Sequence, residues 1–168
     1  MEFFIRSDTD IYLSCSARLN GEYYVFGGNQ RTPYTDFTKQ ISKINDCRLK
    51  RVGDLPFDFE YGACGTYEVS SEERVMLCFD MNEQRKCRRY SEFRLGDSPL
   101  TPLFSYSGFD FDTHPDSAWP HTHTTLGNVN NLVIAVGDWQ SKNIQVEQFN
   151  IATNSWSTRA PYPYCSKT

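Results

Sequence analysis

The stretch Leu19-Asn20-Gly21-Glu22-Tyr23-Tyr24-Val25-Phe26-Gly27-Gly28 decides the fold of this chain. An Asn-Gly pair ahead of an apolar run is a strong signal for a two-residue hairpin, because both central positions of that turn require positive φ. Tyr23 to Phe26 supply aromatic and β-branched side chains, which suit a pleated, half-buried surface. Gly27-Gly28 then ends the strand and lets the backbone turn tightly.

Moving outward, the pattern returns twice. Glu73-Arg74-Val75-Met76-Leu77-Cys78-Phe79-Asp80 has the same short apolar strand, with Phe79-Asp80 standing where Gly27-Gly28 stood. Asn130-Asn131-Leu132-Val133-Ile134-Ala135-Val136-Gly137-Asp138 keeps one glycine. Phe26, Phe79 and Val136 are 53 and 57 residues apart, a near-constant period of the kind that marks a repeat architecture. A polar loop and a second short strand follow each run: 39–44, 86–90 and 144–149. In the third, Ile144, Val146 and Gln148 alternate with Gln145, Glu147 and Phe149, and one side is mostly apolar, the signature of a half-buried strand. Trp156 lies beyond a short turn, with Pro163 and Tyr164 seven residues later; Leu49, Pro56 and Phe57 repeat that spacing in the first unit. Each unit is therefore expected to be a four-stranded antiparallel meander.

Composition agrees with an all-β chain. Of the 168 residues, 12 are Phe and 10 are Tyr, while 10 Gly and 8 Pro favour many turns. No stretch rich in Ala, Leu, Glu and Lys promises a sustained helix. The net charge of −4, with acids and bases interspersed, argues against a nucleic-acid module. The one dense basic run, Arg85, Lys86, Arg88 and Arg89, reads as a solvated strand edge that resists pairing. No window approaches the roughly 18 apolar residues of a membrane span, so no membrane partner is expected. Met1 to Arg6 do not look like a signal peptide. Either the protein is intracellular or its true N-terminus is missing, and cytoplasmic and extracellular settings both stay open.

Six cysteines, at 15, 47, 64, 78, 87 and 165, permit three disulfides but contain no Cys-x-x-Cys zinc spacing. Cys64, Cys78 and Cys87 fall near neighbouring strands, so a bridge within that unit is geometrically allowed; disulfides and buried free thiols both remain open. His121 and His123 share a face if they lie on a strand, and His114 is a possible third metal ligand. No acidic helper accompanies them, and the expectation is satisfied or exposed histidines with no metal. The carboxylates Asp110, Asp112 and Asp116 lack the calcium-loop pattern of an EF-hand and read as a solvated loop. No nucleophile elbow and no phosphate-cradling loop is present. No catalytic residue and no cofactor is expected.

An apolar strand ending in Gly-Gly, a polar loop, an alternating strand and a tryptophan before a Pro-containing link resemble the kelch repeat, most closely at Tyr23–Gly28 and Leu132–Trp156. The resemblance implies a partial β-propeller of about three blades, approximately 11–57, 58–119 and 120–165, as a fragment of a longer ring, since propellers usually close with four to eight blades. It implies a protein-interaction module, with remaining blades supplied in cis or by self-association. Two rival implications are a disulfide-stapled extracellular adhesion domain and a metal-dependent oxidase or glycan-processing enzyme of the galactose oxidase kind. Ligands of such propellers engage loops at one rim, here 29–37, 81–85 and 139–142. The candidate partner-binding residues are Asn29, Gln30, Arg31, Tyr34, Asp36, Arg85, Asp138, Trp139 and Gln140, with Trp139 alternatively packing onto its own blade.

Overall fold

A computed structural model describes residues 11–30, 39–92, 109–121, 124–130, 132–137 and 145–161; the side chains at 11, 12, 30, 91, 92 and 109–112 are outside that description. A two-stranded ribbon pairs β1 (Ile11–Tyr12) with β4 (Asn29–Gln30). The rest of the strands form three four-stranded antiparallel sheets. The first contains β2 (Cys15–Leu19), β3 (Glu22–Phe26), β5 (Gln40–Asn45) and β6 (Arg48–Asp54). The second contains β7 (Ala63–Val69), β8 (Glu72–Asp80), β9 (Glu83–Glu92) and β10 (Phe109–Thr113). The third contains β11 (Thr125–Val129), β12 (Leu132–Val136), β13 (Val146–Asn150) and β14 (Ser155–Arg159). In every sheet the strands pair in chain order. The chain is all-β among the described residues.

The hairpins follow their turn residues. Asn20 and Gly21 sit at φ 52° and 83°, the two left-handed positions that the sequence requires. The second sheet makes the same turn with Ser70 and Ser71, at φ 52° and 67°. Neither serine is a usual resident of that region, so the turn is invisible to an Asn-Gly search. Leu49 and Trp156 both occupy the second position of a fourth strand.

The sheets stack face to face, with the second in the middle. Val75, Leu77 and Tyr90 pack against Ala17, Leu19, Tyr24, Phe26 and Ile41 of the first sheet. Met76, Cys78, Phe79 and Cys87 face Leu126, Val133, Ala135 and Phe149 of the third. Successive side chains of a strand point to opposite faces, so β8 fills two cores at once. This is why its apolar run is unbroken rather than alternating, as expected of a strand covered on both faces. The first strands lie side by side, with β7 between β2 and β11.

Two expectations change. The basic run is not an edge: β9 lies between β8 and β10. Two of its charges are paired within the strand. Lys86 and Arg88 both pair with Glu83, and the Arg88 guanidinium lies 3.9 Å from the centre of the Phe57 ring. In β13 the packed side is the one bearing Glu147 and Phe149, while Val146 and Gln148 lie on the outer face. The more apolar-looking side is thus the outer one, because Glu147 enters the interior with a full set of hydrogen-bond partners. Ile144 lies outside the described residues.

Candidate functional site

Two links carry the chain from one sheet to the next, and both meet the loops that follow the second strands. In the first link, Phe59 accepts a hydrogen bond from Gly28 N at 2.7 Å, and Glu60 O accepts one from Met81 N at 3.1 Å. Gly27, at φ 60°, comes so close that a Cβ there would stand 2.0 Å from the Phe59 carbonyl oxygen. No residue but glycine fits. Phe79 occupies the matching place in the second sheet, at φ 64° and at the irregularity where β8 and β9 shift register. A bulky residue in the left-handed region is an outlier held by its surroundings. Here those surroundings are the rings of His121 and Trp156, 4.8 and 5.9 Å away between centroids.

Buried acids pin both links. Asp80 is 3% exposed; its carboxylate accepts from Glu60 N and Asn82 N, both at 2.9 Å. Glu60, also buried, accepts from Asn29 Nδ2 at 3.3 Å, so the cluster joins β4, the link and the end of β8. Burial pushes the Glu60 carboxyl above the usual glutamate range; the Asn29 hydrogen bond opposes this, and the nearby charges of Asp80 and Asp58 reinforce it. On β9, by contrast, the Lys86 hydrogen bond holds the Glu83 carboxyl below that range against its partial burial, with Arg88 assisting.

The second link is held by Glu147, which is fully buried. Its two oxygens accept from Ala118 N at 2.9 Å and Trp119 N at 3.0 Å. His121 Nε2 lies 2.9 Å from Glu147 Oε2, and His121 Nδ1 lies 2.8 Å from Gly137 O. A carbonyl oxygen only accepts, so Nδ1 donates to Gly137 O while Nε2 faces the carboxylate. Trp156 Nε1 donates to Pro115 O at 2.9 Å, and Arg85 Nε donates to Ser117 O at 2.6 Å. Ser117, His121 and Glu147 are all buried, yet they do not form a nucleophilic triad. The Ser117 hydroxyl donates to Trp119 O at 2.6 Å, and both imidazole nitrogens are already engaged.

Of the candidate binding residues, Asn29 and Arg85 reach this rim, both spending part of their hydrogen-bonding capacity on the links. Gln30 has its backbone in β4. Arg31, Tyr34, Asp36, Asp138, Trp139 and Gln140 lie outside the described residues. His114 and His121 are not brought together: His114 Nδ1 is 2.8 Å from Asn154 Oδ1 and its Nε2 is 3.3 Å from Tyr67 OH. His123 is outside the described residues. No group of three metal-ligating side chains occurs among the described residues. The rim also contains residues the sequence did not single out. Met81 is 39% exposed and Trp119 is 43% exposed. Gln84 ties the Met81 turn to the second link: its side chain donates to Met81 O at 3.3 Å and its carbonyl accepts from His121 N at 2.8 Å. The available sequence signal was a charge, Glu147, on the same strand face as Phe149.

Two disulfides resolve the thiol question for four cysteines. Cys15 bridges to Cys64, and Cys78 to Cys87. Cys47 is free and exposed in the β5–β6 turn; Cys165 is outside the described residues. No helix among the described residues is long and apolar enough to cross a membrane. No family model matches the chain, and no curated protein does. Among solved structures the chain is similar to the structure of YjhT, with a TM-score of 0.67 at 11% identity over 93% of this chain. The match covers 58% of YjhT, so this chain spans less than two thirds of that protein's length, and the likeness is one of fold.

Proposed function

We propose that this chain is a partial kelch-type β-propeller of about three blades, acting as a protein-interaction module. The reading is supported above all by the stack of three four-stranded sheets with β2, β7 and β11 adjacent, as the inner strands of blades would be. The mechanism is rigid display. Links fixed by Asp80 and Glu147 hold one rim, and the loops that leave it select a partner protein. Met81, Trp119 and Arg85, together with Arg31 and Trp139, carry the residue types that dominate interface energetics. The module performs no catalysis, needs no cofactor and binds no nucleic acid. The remaining blades come in cis or by self-association.

The test is paired cross-linking from cell extract. A partner captured by the wild-type chain should be lost from a Met81→Ala/Trp119→Ala variant and retained by an Asn20→Asp variant at the opposite hairpin. Equal capture by both variants, with their folds intact, removes the rim from the binding surface. The two disulfides favour the extracellular form of this reading, since such bridges persist in oxidising settings.

A further inference from the structure

The two disulfides differ in place and in access. Cys78 and Cys87 are direct cross-strand partners within the second sheet, 0% and 1% exposed, inside the core shared with the third sheet. Cys15 and Cys64 are only partly buried, and their bridge ties β2 of the first sheet to β7 of the second. Cys15 pairs with Phe26, directly before Gly27, and Cys64 follows the link that ends at Tyr61. The bridge therefore lies beside the hydrogen bonds that close this seam, Gly28 N to Phe59 O at 2.7 Å and Tyr61 N to Leu13 O at 3.1 Å.

We infer that Cys15–Cys64 is a thiol-reducible latch across the seam between the first two sheets, while Cys78–Cys87 is a sealed, permanent bridge. Exchange requires a thiolate to reach a disulfide sulfur, so access sets which bridge opens in the folded protein. A small thiol attacks one sulfur of the Cys15–Cys64 bond, forming a mixed disulfide and releasing the other cysteine as a thiolate. A second thiol resolves the mixed disulfide. The products are two protein thiols and one oxidised small-molecule disulfide, so electrons balance. Opening the latch removes the one disulfide between the two sheets among the described residues, leaving the 55–62 link as their covalent connection, and loosens the rim at Asn29, Glu60 and Asp80. The inference concerns the seam alone and does not depend on any partner being bound there.

The test uses the intact chain under native conditions. Graded reduced glutathione is followed by alkylation and peptide mapping, with far-ultraviolet circular dichroism confirming that the protein stays folded. Cys15 and Cys64 should become alkylated about tenfold or more faster than Cys78 and Cys87. Amide exchange at Gly28 and Tyr61 should then rise by about tenfold, with Val133 and Ala135 unchanged. A Cys15→Ala/Cys64→Ala variant should show the faster seam exchange without any thiol. Equal reduction of both bridges, reduction of Cys15–Cys64 only on loss of the circular dichroism signal, or seam amides that stay closed in reduced protein and in the variant would each overturn the latch.

Discussion

Replacing Glu147 by glutamine keeps the shape of the side chain and removes one acceptor. In the native protein Oε1 accepts from Ala118 N, while Oε2 accepts from Trp119 N and lies against His121 Nε2. An amide has one oxygen and one NH₂ group. With its oxygen at the Oε1 place, the NH₂ faces the Trp119 N–H. With its oxygen at the Oε2 place, the NH₂ faces the Ala118 N–H. Either way one link donor loses its acceptor, at about 1–3 kcal/mol, and the hydrogen bonds that remain lose the assistance of a full charge, worth about another 1 kcal/mol. The links' N–H groups are partly buried, which places the total at about 2–4 kcal/mol. Urea unfolding followed by tryptophan emission measures it. Trp119 and Trp156 both touch the affected link, so the folded baseline should also change. In a double-mutant cycle with His121→Gln, the coupling should be about 1–3 kcal/mol. If Glu147→Gln falls within about 0.5 kcal/mol of wild type, the range of ordinary surface changes, then Glu147 does not hold the second link and the account of a pinned rim fails.

Gly27→Ala should destabilise the chain by about 3 kcal/mol or more, read as a fall in thermal midpoint, because its Cβ would meet the backbone of Phe59 rather than a movable side chain. Glu60→Gln bears on pH. A carboxyl raised in the folded state favours folding below its ordinary value of 4.5, and that contribution is lost as pH rises through the folded value. The glutamine variant should therefore gain stability relative to wild type at neutral pH, with the gain vanishing near pH 4; a gain that is constant across pH would refute the burial argument. Glu83 has the opposite sign: the Lys86 and Arg88 contacts support the fold above about pH 4.5 and fade below it, so the penalty of Glu83→Gln should shrink in acid. The isolated chain should appear larger than 19.4 kDa by light scattering. The outer face of the third sheet carries Leu132, Ile134 and Val136 half-covered and Val129 54% exposed, a surface that favours association.

Most of the fold is written locally. Asn20-Gly21 and Gly27-Gly28 announce their turns because few other residues tolerate those backbone angles, and the 53- and 57-residue spacings carry the same plan through the chain. The second unit is harder to read for a physical reason. The two-residue turn between β7 and β8 forces Ser70 and Ser71 into left-handed angles, and packing against His121 and Trp156 holds Phe79 in one; no intrinsic preference advertises them. The basic run misleads because strand order is a long-range property: nothing near Arg85 to Arg89 shows that β10 will return to cover β9. The rim is the least legible part. Asp80 and Glu147 acquire their roles from backbone N–H groups 20 and 28–29 residues away. Their chemistry is ordinary until the links are in place.

The shared middle sheet also shapes how the chain is made. Val75 to Phe79 cannot be fully hidden until sheets on both sides exist, and the third sheet is completed only at Arg159. With synthesis at about 5–20 residues per second, the Met76 and Cys78 side of β8 stays bare for roughly 4–16 seconds after it emerges. During that interval a nascent chain displays a short, uncharged, strand-forming segment of the kind that recruits other chains. The Cys78–Cys87 bridge closes a loop only nine residues long. It can therefore form early and turn the exposed strand into one half of a locked hairpin before its second neighbour arrives.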